Sequence, residues 1–225
     1  MNSKKPKLTI DLLKEEARRF CVSQSQARHE VIRGVTDGKA VGTYIEHKFR
    51  DIVSHGYTVS VGSSAKGIDF PEPHMNTDVK TTFIKQPQSS CPFKEARQKI
   101  YGLGYNLLLF VYQKDDKQDN NLQFLHSRFV EKGRTADYQT TRGLREIIER
   151  SGNVNDIEAF LSDRNLPVDE IEMERLADEI LRNPPEMGYL TISNALQWRL
   201  QYARVISLGG KVNGIVNIYD YQTHE

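Results

Sequence analysis

Along the chain, apolar residues recur first at helical spacing. Leu8, Leu12, Leu13, Ala17 and Phe20 stand among charged neighbours, which predicts a helical stretch over residues 8–35. Asp37-Gly38-Lys39 is a turn signal. Tyr44, Ile45, Phe49, Ile52 and Val53 then predict a second helix from about Val41 to Val53, ending near Gly56. From there the period drops to two. Tyr57 to Val61 alternates as a half-buried strand does, and the loop Gly62 to Gly67 leads into a short strand at Ile68-Asp69-Phe70, stopped by Pro71 and Pro73. A longer strand is expected from about Asn76 to Ile84, then a helix from roughly Pro92 to Tyr101 with Gly102 and Gly104 past its end. The unbroken apolar run from Asn106 to Tyr112 reads as a strand buried on both faces.

A polar loop, Asp115 to Asn121, and a strand, Leu122 to Val130, come next. From about Thr140 the pattern turns helical, with breaks at Asn165-Leu166-Pro167 and Pro184-Pro185. A last helix is expected from about Ile192 to Leu208, and after Gly209-Gly210 a terminal strand from Ile215 to Tyr221. The pattern therefore predicts an α/β fold, a mixed β-sheet flanked by helices with a mainly helical C-terminal region. Its segments are an N-terminal helical stretch over 1–40, a core over 41–139 and a helical region over 140–225.

Composition narrows the class. A chain of 225 residues, 38% hydrophobic and 27% charged, can bury a core without disulfides or a structural metal. Cys21 and Cys91 lie far apart with no CxxC partner, which argues against a zinc site or a secreted disulfide framework and suits a reducing cytoplasm. The longest apolar run, Leu107 to Tyr112, is too short for a bilayer, and the basic N-terminus is followed by a polar stretch instead of a signal core. A soluble, cytoplasmic protein is expected. Net charge is only +1, so binding to nucleic acid requires Lys and Arg gathered on one face.

The chemistry concentrates in Gly67-Ile68-Asp69-Phe70-Pro71 and Asn76-Thr77-Asp78-Val79-Lys80-Thr81. Residues two apart in a strand share a face, so Asp78 and Lys80 face together while Val79 points into the core. Asp69 and Asp78 on neighbouring strands can share one hard divalent cation, which takes carboxylate oxygens, and a lysine beside them can orient water and neutralise developing charge. Two other Asp-x-Lys triplets, Asp37-Gly38-Lys39 and Asp115-Asp116-Lys117, sit in polar, turn-like runs and read as solvated loop charge. Only Asp78-Val79-Lys80 has an apolar middle residue, a strand beneath it and a second Asp on another strand.

This arrangement resembles the PD-(D/E)XK nuclease superfamily, whose restriction-endonuclease-like αβββαβ core runs helix, three-stranded meander, helix, strand. Residues 41–112, about a third of the chain, match that order. By the resemblance, Asp69 matches the first acidic residue, Asp78 the second and Lys80 the lysine. Glu46, in Tyr44-Ile45-Glu46-His47-Lys48, matches the glutamate many members carry on the helix before the meander. Ile68 stands where the pattern has proline, a position that varies. The phrase Lys85-Gln86-Pro87-Gln88-Ser89-Ser90-Cys91-Pro92-Phe93-Lys94 resembles type II restriction endonucleases.

The resemblance implies a Mg²⁺-dependent hydrolase that cuts both strands of double-stranded DNA at a short sequence, leaving 5′-phosphate and 3′-hydroxyl ends. Asp69, Asp78 and Glu46 would hold the metal and Lys80 would position the attacking water. Mn²⁺ is expected to substitute, and Ca²⁺ to bind without supporting cleavage. Palindromic sites imply a two-fold homodimer.

Gln86, Gln88, Ser89, Ser90, Lys94 and Arg97 lie just beyond the catalytic strand and are candidate DNA contacts. Tyr189 to Val205 resembles the second helix of a helix-turn-helix, with a Gly-rich hairpin after it as in winged helices. Ala195, Leu196, Leu200 and Ala203 would face the core, leaving Asn194, Gln197, Arg199, Gln201 and Arg204 for DNA or solvent. A helix that only buttresses the fold or a dimer is the alternative. The six histidines show no HxxxH or HNH spacing, which disfavours a zinc or ββα-metal nuclease. Two rival readings are a structure-specific or repair nuclease on the same core and a non-enzymatic DNA-binding regulator, against which the intact Asp69, Asp78 and Lys80 set argues.

Overall fold

The structure, a computed structural model, describes residues 5–62, 67–91, 95–193 and 198–222. In chain order its elements begin with α1 (Ile10–Ser25), α2 (Gly38–Gly56), β1 (Thr77–Phe83), β2 (Gln88–Ser90), α3 (Arg97–Tyr101), β3 (Asn106–Lys114) and β4 (Leu122–Val130). They continue with α4 (Tyr138–Glu149), α5 (Val154–Asp163), α6 (Glu170–Arg182), β5 (Thr191–Ser193), β6 (Arg199–Gln201), α7 (Ala203–Leu208) and β7 (Ile215–Asp220). The chain divides into two compact units, one of residues 1–89, 106–130 and 206–225, the other of residues 90–105 and 131–205.

The first unit is built on a mixed sheet of order β1-β3-β4-β7. β1 and β3 run parallel, while β3 pairs with β4, and β4 with β7, in antiparallel fashion. Two helices pack onto one face of this sheet. α1 starts where the Thr9 hydroxyl accepts a hydrogen bond from Leu12 N, and α2 where the Asp37 carboxylate accepts one from Lys39 N. Asp37-Gly38-Lys39 is thus a helix start, and the expected single helix over 8–35 stops at Ser25, with a 3₁₀ turn at Glu30–Ile32 beyond it. Leu13, Ala17 and Phe20 from α1, and Ile45, Phe49 and Val53 from α2, bury against Val79, Leu108, Phe110 and Phe124. Phe20, Phe49, Phe110 and Phe124 form its centre, with neighbouring ring centroids 5.0–5.7 Å apart and tilted or edge-on.

The two short strands expected before Asn76 narrow to single bridges. Thr58 pairs with Lys7, and Phe70 with Thr77, through Phe70 N to Thr77 O at 2.9 Å and Thr77 N to Phe70 O at 3.0 Å. Pro71 and Pro73 carry no N–H and cannot extend that ladder.

In the second unit α4, α5 and α6 bury Leu144, Ile147, Ile157, Leu161, Leu176 and Ile180 with Ala96 and Ile100. Asp137, Asn153 and Asp169 cap the three helices in turn. The helix expected over Ile192 to Leu208 does not form. β5 and β6 pair antiparallel there, with Ile192 opposite Leu200, and helix appears only at Ala203. The residues Asn194 to Gln197 lie outside the described set. Leu200 and Tyr202 are buried on either side of exposed Gln201, which is the period of a strand. Among the described residues no helix is long and apolar enough to cross a membrane.

Candidate active site

Sequence reasoning singled out Glu46, Asp69, Asp78 and Lys80, and the first unit brings all four together from three segments. β1 supplies Asp78 and Lys80. Its parallel register with β3 sets Asp78 opposite Leu107 and Lys80 opposite Leu109. Between them Val79 is fully buried in the core below α2. The two polar side chains leave the strand on the face away from it, where Lys80 Nζ lies 2.5 Å from Asp78 Oδ2.

Asp69 arrives on the residues that bridge to the start of β1. Its Oδ2 accepts a hydrogen bond from Val79 N at 2.9 Å, which locks the carboxylate to the strand carrying Asp78. Its Oδ1 accepts one from Arg50 Nη1 at 3.0 Å. Glu46 comes from α2, and its Oε1 accepts a hydrogen bond from Thr81 N at 3.1 Å. Arg50 lies one turn further along the same helix, on the same face. Sequence reasoning missed it, because only its position four residues after Glu46 hinted at a shared face.

The electrostatics are those of too many acids in too little water. Burial pushes the Glu46 carboxyl up to about 7, with Lys80 opposing and the negative charges of Asp69 and Asp78 reinforcing the shift. Burial likewise pushes Asp78 up to about 6, against the pull of Lys80. At Lys80 burial works against the charged form, but Asp78, Glu46 and Asp69 outweigh it and hold the ammonium above its ordinary value. Asp78 is only 2% exposed, and its Oδ2 makes no well-aligned hydrogen bond despite the nearby ammonium.

Among the described residues no three acid, imidazole or thiol side chains converge closely enough to grip an ion as they stand. The donor set nonetheless suits a hard divalent cation. It consists of carboxylate oxygens only, it carries surplus negative charge, and among the described residues the buried Asp78 Oδ2 has the Lys80 ammonium beside it but no well-aligned hydrogen bond.

Comparison with known proteins turns this geometry into a lineage. The family model for the type II restriction enzyme NspV matches residues 7–217. The type II restriction enzyme NspV of Nostoc sp. (strain ATCC 29411 / PCC 7524) is 58% identical over 215 residues, covering 94% of this chain and 97% of that protein. The chain belongs to the type II restriction enzyme NspV family. It is therefore an enzyme of the type II restriction class. No solved structure matches it.

In this member of the NspV family the described residues marked as DNA contacts fall on the turn after β1, on β2 and β6 of a three-stranded sheet of order β2-β6-β5, on α3 and on α7. Gln86 is exposed in the turn after β1, where the Thr82 hydroxyl donates to the carbonyls of Gln86 and Gln88 at 3.3 and 3.2 Å. Gln88, Ser89 and Ser90 form β2. Arg97, on α3, has its guanidinium forked onto the Glu179 carboxylate and lying over the Tyr101 ring. Arg199 and Gln201 sit on β6, and the Arg204 guanidinium stacks 3.7 Å from the centre of the Tyr138 ring. Lys94 and Gln197 lie outside the described residues.

Proposed function

We propose that this enzyme hydrolyses phosphodiester bonds in both strands of double-stranded DNA at a short specific sequence, with Mg²⁺ as cofactor. The observation that carries the reading is the meeting of Asp78 and Lys80 on one face of β1 with Asp69 and Glu46, in a chain of restriction-enzyme ancestry. Bound there, Mg²⁺ would supply Lewis-acid stabilisation of charge on the phosphate. Asp69 and Asp78 would hold it, and Glu46 would hold it directly or through water. Mn²⁺ would serve in its place, and Ca²⁺ would bind without cleavage.

The remaining chemistry falls to the chain itself. Lys80, kept charged by the acids around it, hydrogen-bonds the attacking water and lines it up with the phosphorus. Its charge also offsets that on the phosphate oxygens as the new P–O bond forms and the bond to the 3′ oxygen breaks. The ends left are a 5′-phosphate and a 3′-hydroxyl. Gln86, Gln88, Ser89, Ser90, Lys94, Arg97, Gln197, Arg199, Gln201 and Arg204 are the proposed contacts to DNA. A two-fold homodimer would place one site on each strand of a palindrome.

The test is digestion of a plasmid of known sequence in Mg²⁺, with mapping of the ends and a parallel reaction in excess EDTA. Discrete fragments from one recurring sequence, lost in EDTA, are expected. Full cleavage in EDTA would overturn the metal reading, and sedimentation as a monomer on cognate DNA would overturn the dimer.

A further inference from the structure

We propose that Arg50 is a built-in counter-cation for Asp69, which an incoming divalent ion displaces, so that Arg50 sets how tightly the site binds metal. The inference rests on the reading of Asp69, Asp78 and Glu46 as the metal site. Three observations carry it.

The first is the form of the pair. Arg50 and Asp69 are 16% and 14% exposed, so their 3.0 Å contact is well shielded from water. A buried arginine that serves structure usually grips a carboxylate with two parallel N–H bonds. Here the Asp69 carboxylate receives one, from Nη1, while Arg50 Nε is buried with no hydrogen-bond partner among the described residues. A desolvated, unsatisfied donor is a cost that a purely structural pair would be expected to relieve.

The second is what remains when the pair opens. Val79 N still holds Asp69 Oδ2, so the carboxylate keeps its place on β1 and presents Oδ1. The third is the balance of charge. Glu46, Asp69 and Asp78 face two basic groups, Lys80 against Asp78 and Arg50 against Asp69. Arg50 thus occupies the Asp69 oxygen a cation would seek, with a charge that opposes its entry.

The experiment measures Mn²⁺ binding by calorimetry and by Mn²⁺ paramagnetic resonance, without DNA or turnover. The full-length wild type is compared with Arg50→Gln, Arg50→Lys and Asp78→Ala. Gln keeps an N–H donor and removes the charge, so Arg50→Gln should bind Mn²⁺ about tenfold more tightly, the order expected on deleting one nearby positive charge in a shielded site. Its metal-free melting temperature should fall, and Mn²⁺ should restore it by a larger increment than in the wild type. Lysine keeps the charge on a shorter, better hydrated stem, so Arg50→Lys should tighten binding by a smaller factor and serves if Arg50→Gln does not fold. Unchanged or weaker binding in whichever variants fold would overturn the displacement idea alone, provided Asp78→Ala still loses Mn²⁺. Wild-type protein that binds no Mn²⁺, or Asp78→Ala that binds it undiminished, would bring down the site reading and this inference together.

Discussion

Asp78 in the first unit and Asp137 in the second are buried to nearly the same extent, 2% and 3% exposed, yet their surroundings are opposite. Asp137 Oδ2 accepts from Thr140 N at 2.9 Å and from the Thr140 hydroxyl at 2.8 Å, and Oδ1 accepts from Ile192 N at 2.8 Å. It caps α4 and ties it to β5, with both oxygens in use. Asp78 has a neighbouring ammonium, two nearby acids and an oxygen without a proper partner. Burial therefore does not mark a reactive carboxylate. What separates the two is satisfaction, since a fully bonded acid stabilises the fold while an underbonded one is held ready for something else.

The largest test of this contrast is Asp78→Asn, which should lower the single-turnover cleavage rate by about two to three orders of magnitude or more, as losing a transition-state contact does. Its melting temperature should hold or rise, because an under-compensated buried charge has gone. A variant that unfolds but cuts normally per folded molecule would put Asp78 in the same class as Asp137. The reverse result is expected of Asp137→Ala. Orphaning Thr140 N and Ile192 N should cost about 2–4 kcal/mol in urea unfolding, with cleavage by the folded fraction retained.

Glu46→Gln sharpens the comparison further. Its amide oxygen can still accept from Thr81 N, so the fold should stand while the single-turnover rate drops about tenfold, less than for Asp78. A rate equal to wild type would leave Glu46 as a helix-to-strand tie. The smallest effect belongs to Arg199→Ala on β6. If Arg199 meets a phosphate, affinity should weaken by about the same factor for every sequence and the salt slope should fall by about 1 in equilibrium titrations. An unchanged slope at unchanged melting temperature would make it scaffold.

Much of the first unit was legible from spacing alone. The alternation in β1, the continuous apolar run of β3 and the boundaries of β4 emerge nearly where the pattern puts them, because side-chain period and burial agree there. Asp78 and Lys80 stood out because the two-residue period puts them on one face, and Asp69 because it is a second acid on a neighbouring extended segment, while Glu46 was reached only through the resemblance to the nuclease superfamily. Arg50 was not, since its meeting with Asp69 spans 19 residues and exists only once α2 lies on β1. Asp137 carried a local signal in Asp137-Tyr138-Gln139-Thr140, a capping residue ahead of a helix, but its bond to Ile192 is long-range. The spacing of Ile192, Ala195, Leu196, Leu200 and Ala203 fits a helix as well as a hairpin, and the pairing of Ile192 with Leu200 decided it.

Val79 joins the two halves of the site in a way its side chain conceals. Its isopropyl group is buried in the core of the first unit, its amide grips Asp69, and its neighbours in the chain are Asp78 and, one residue on, Lys80, the residues proposed to act on the phosphate. The greasy interior thus acts as the machinist's vice for the polar workpiece above it. Drift in the packing beneath β1 would be registered as misalignment of the carboxylates before it was registered as loss of the fold.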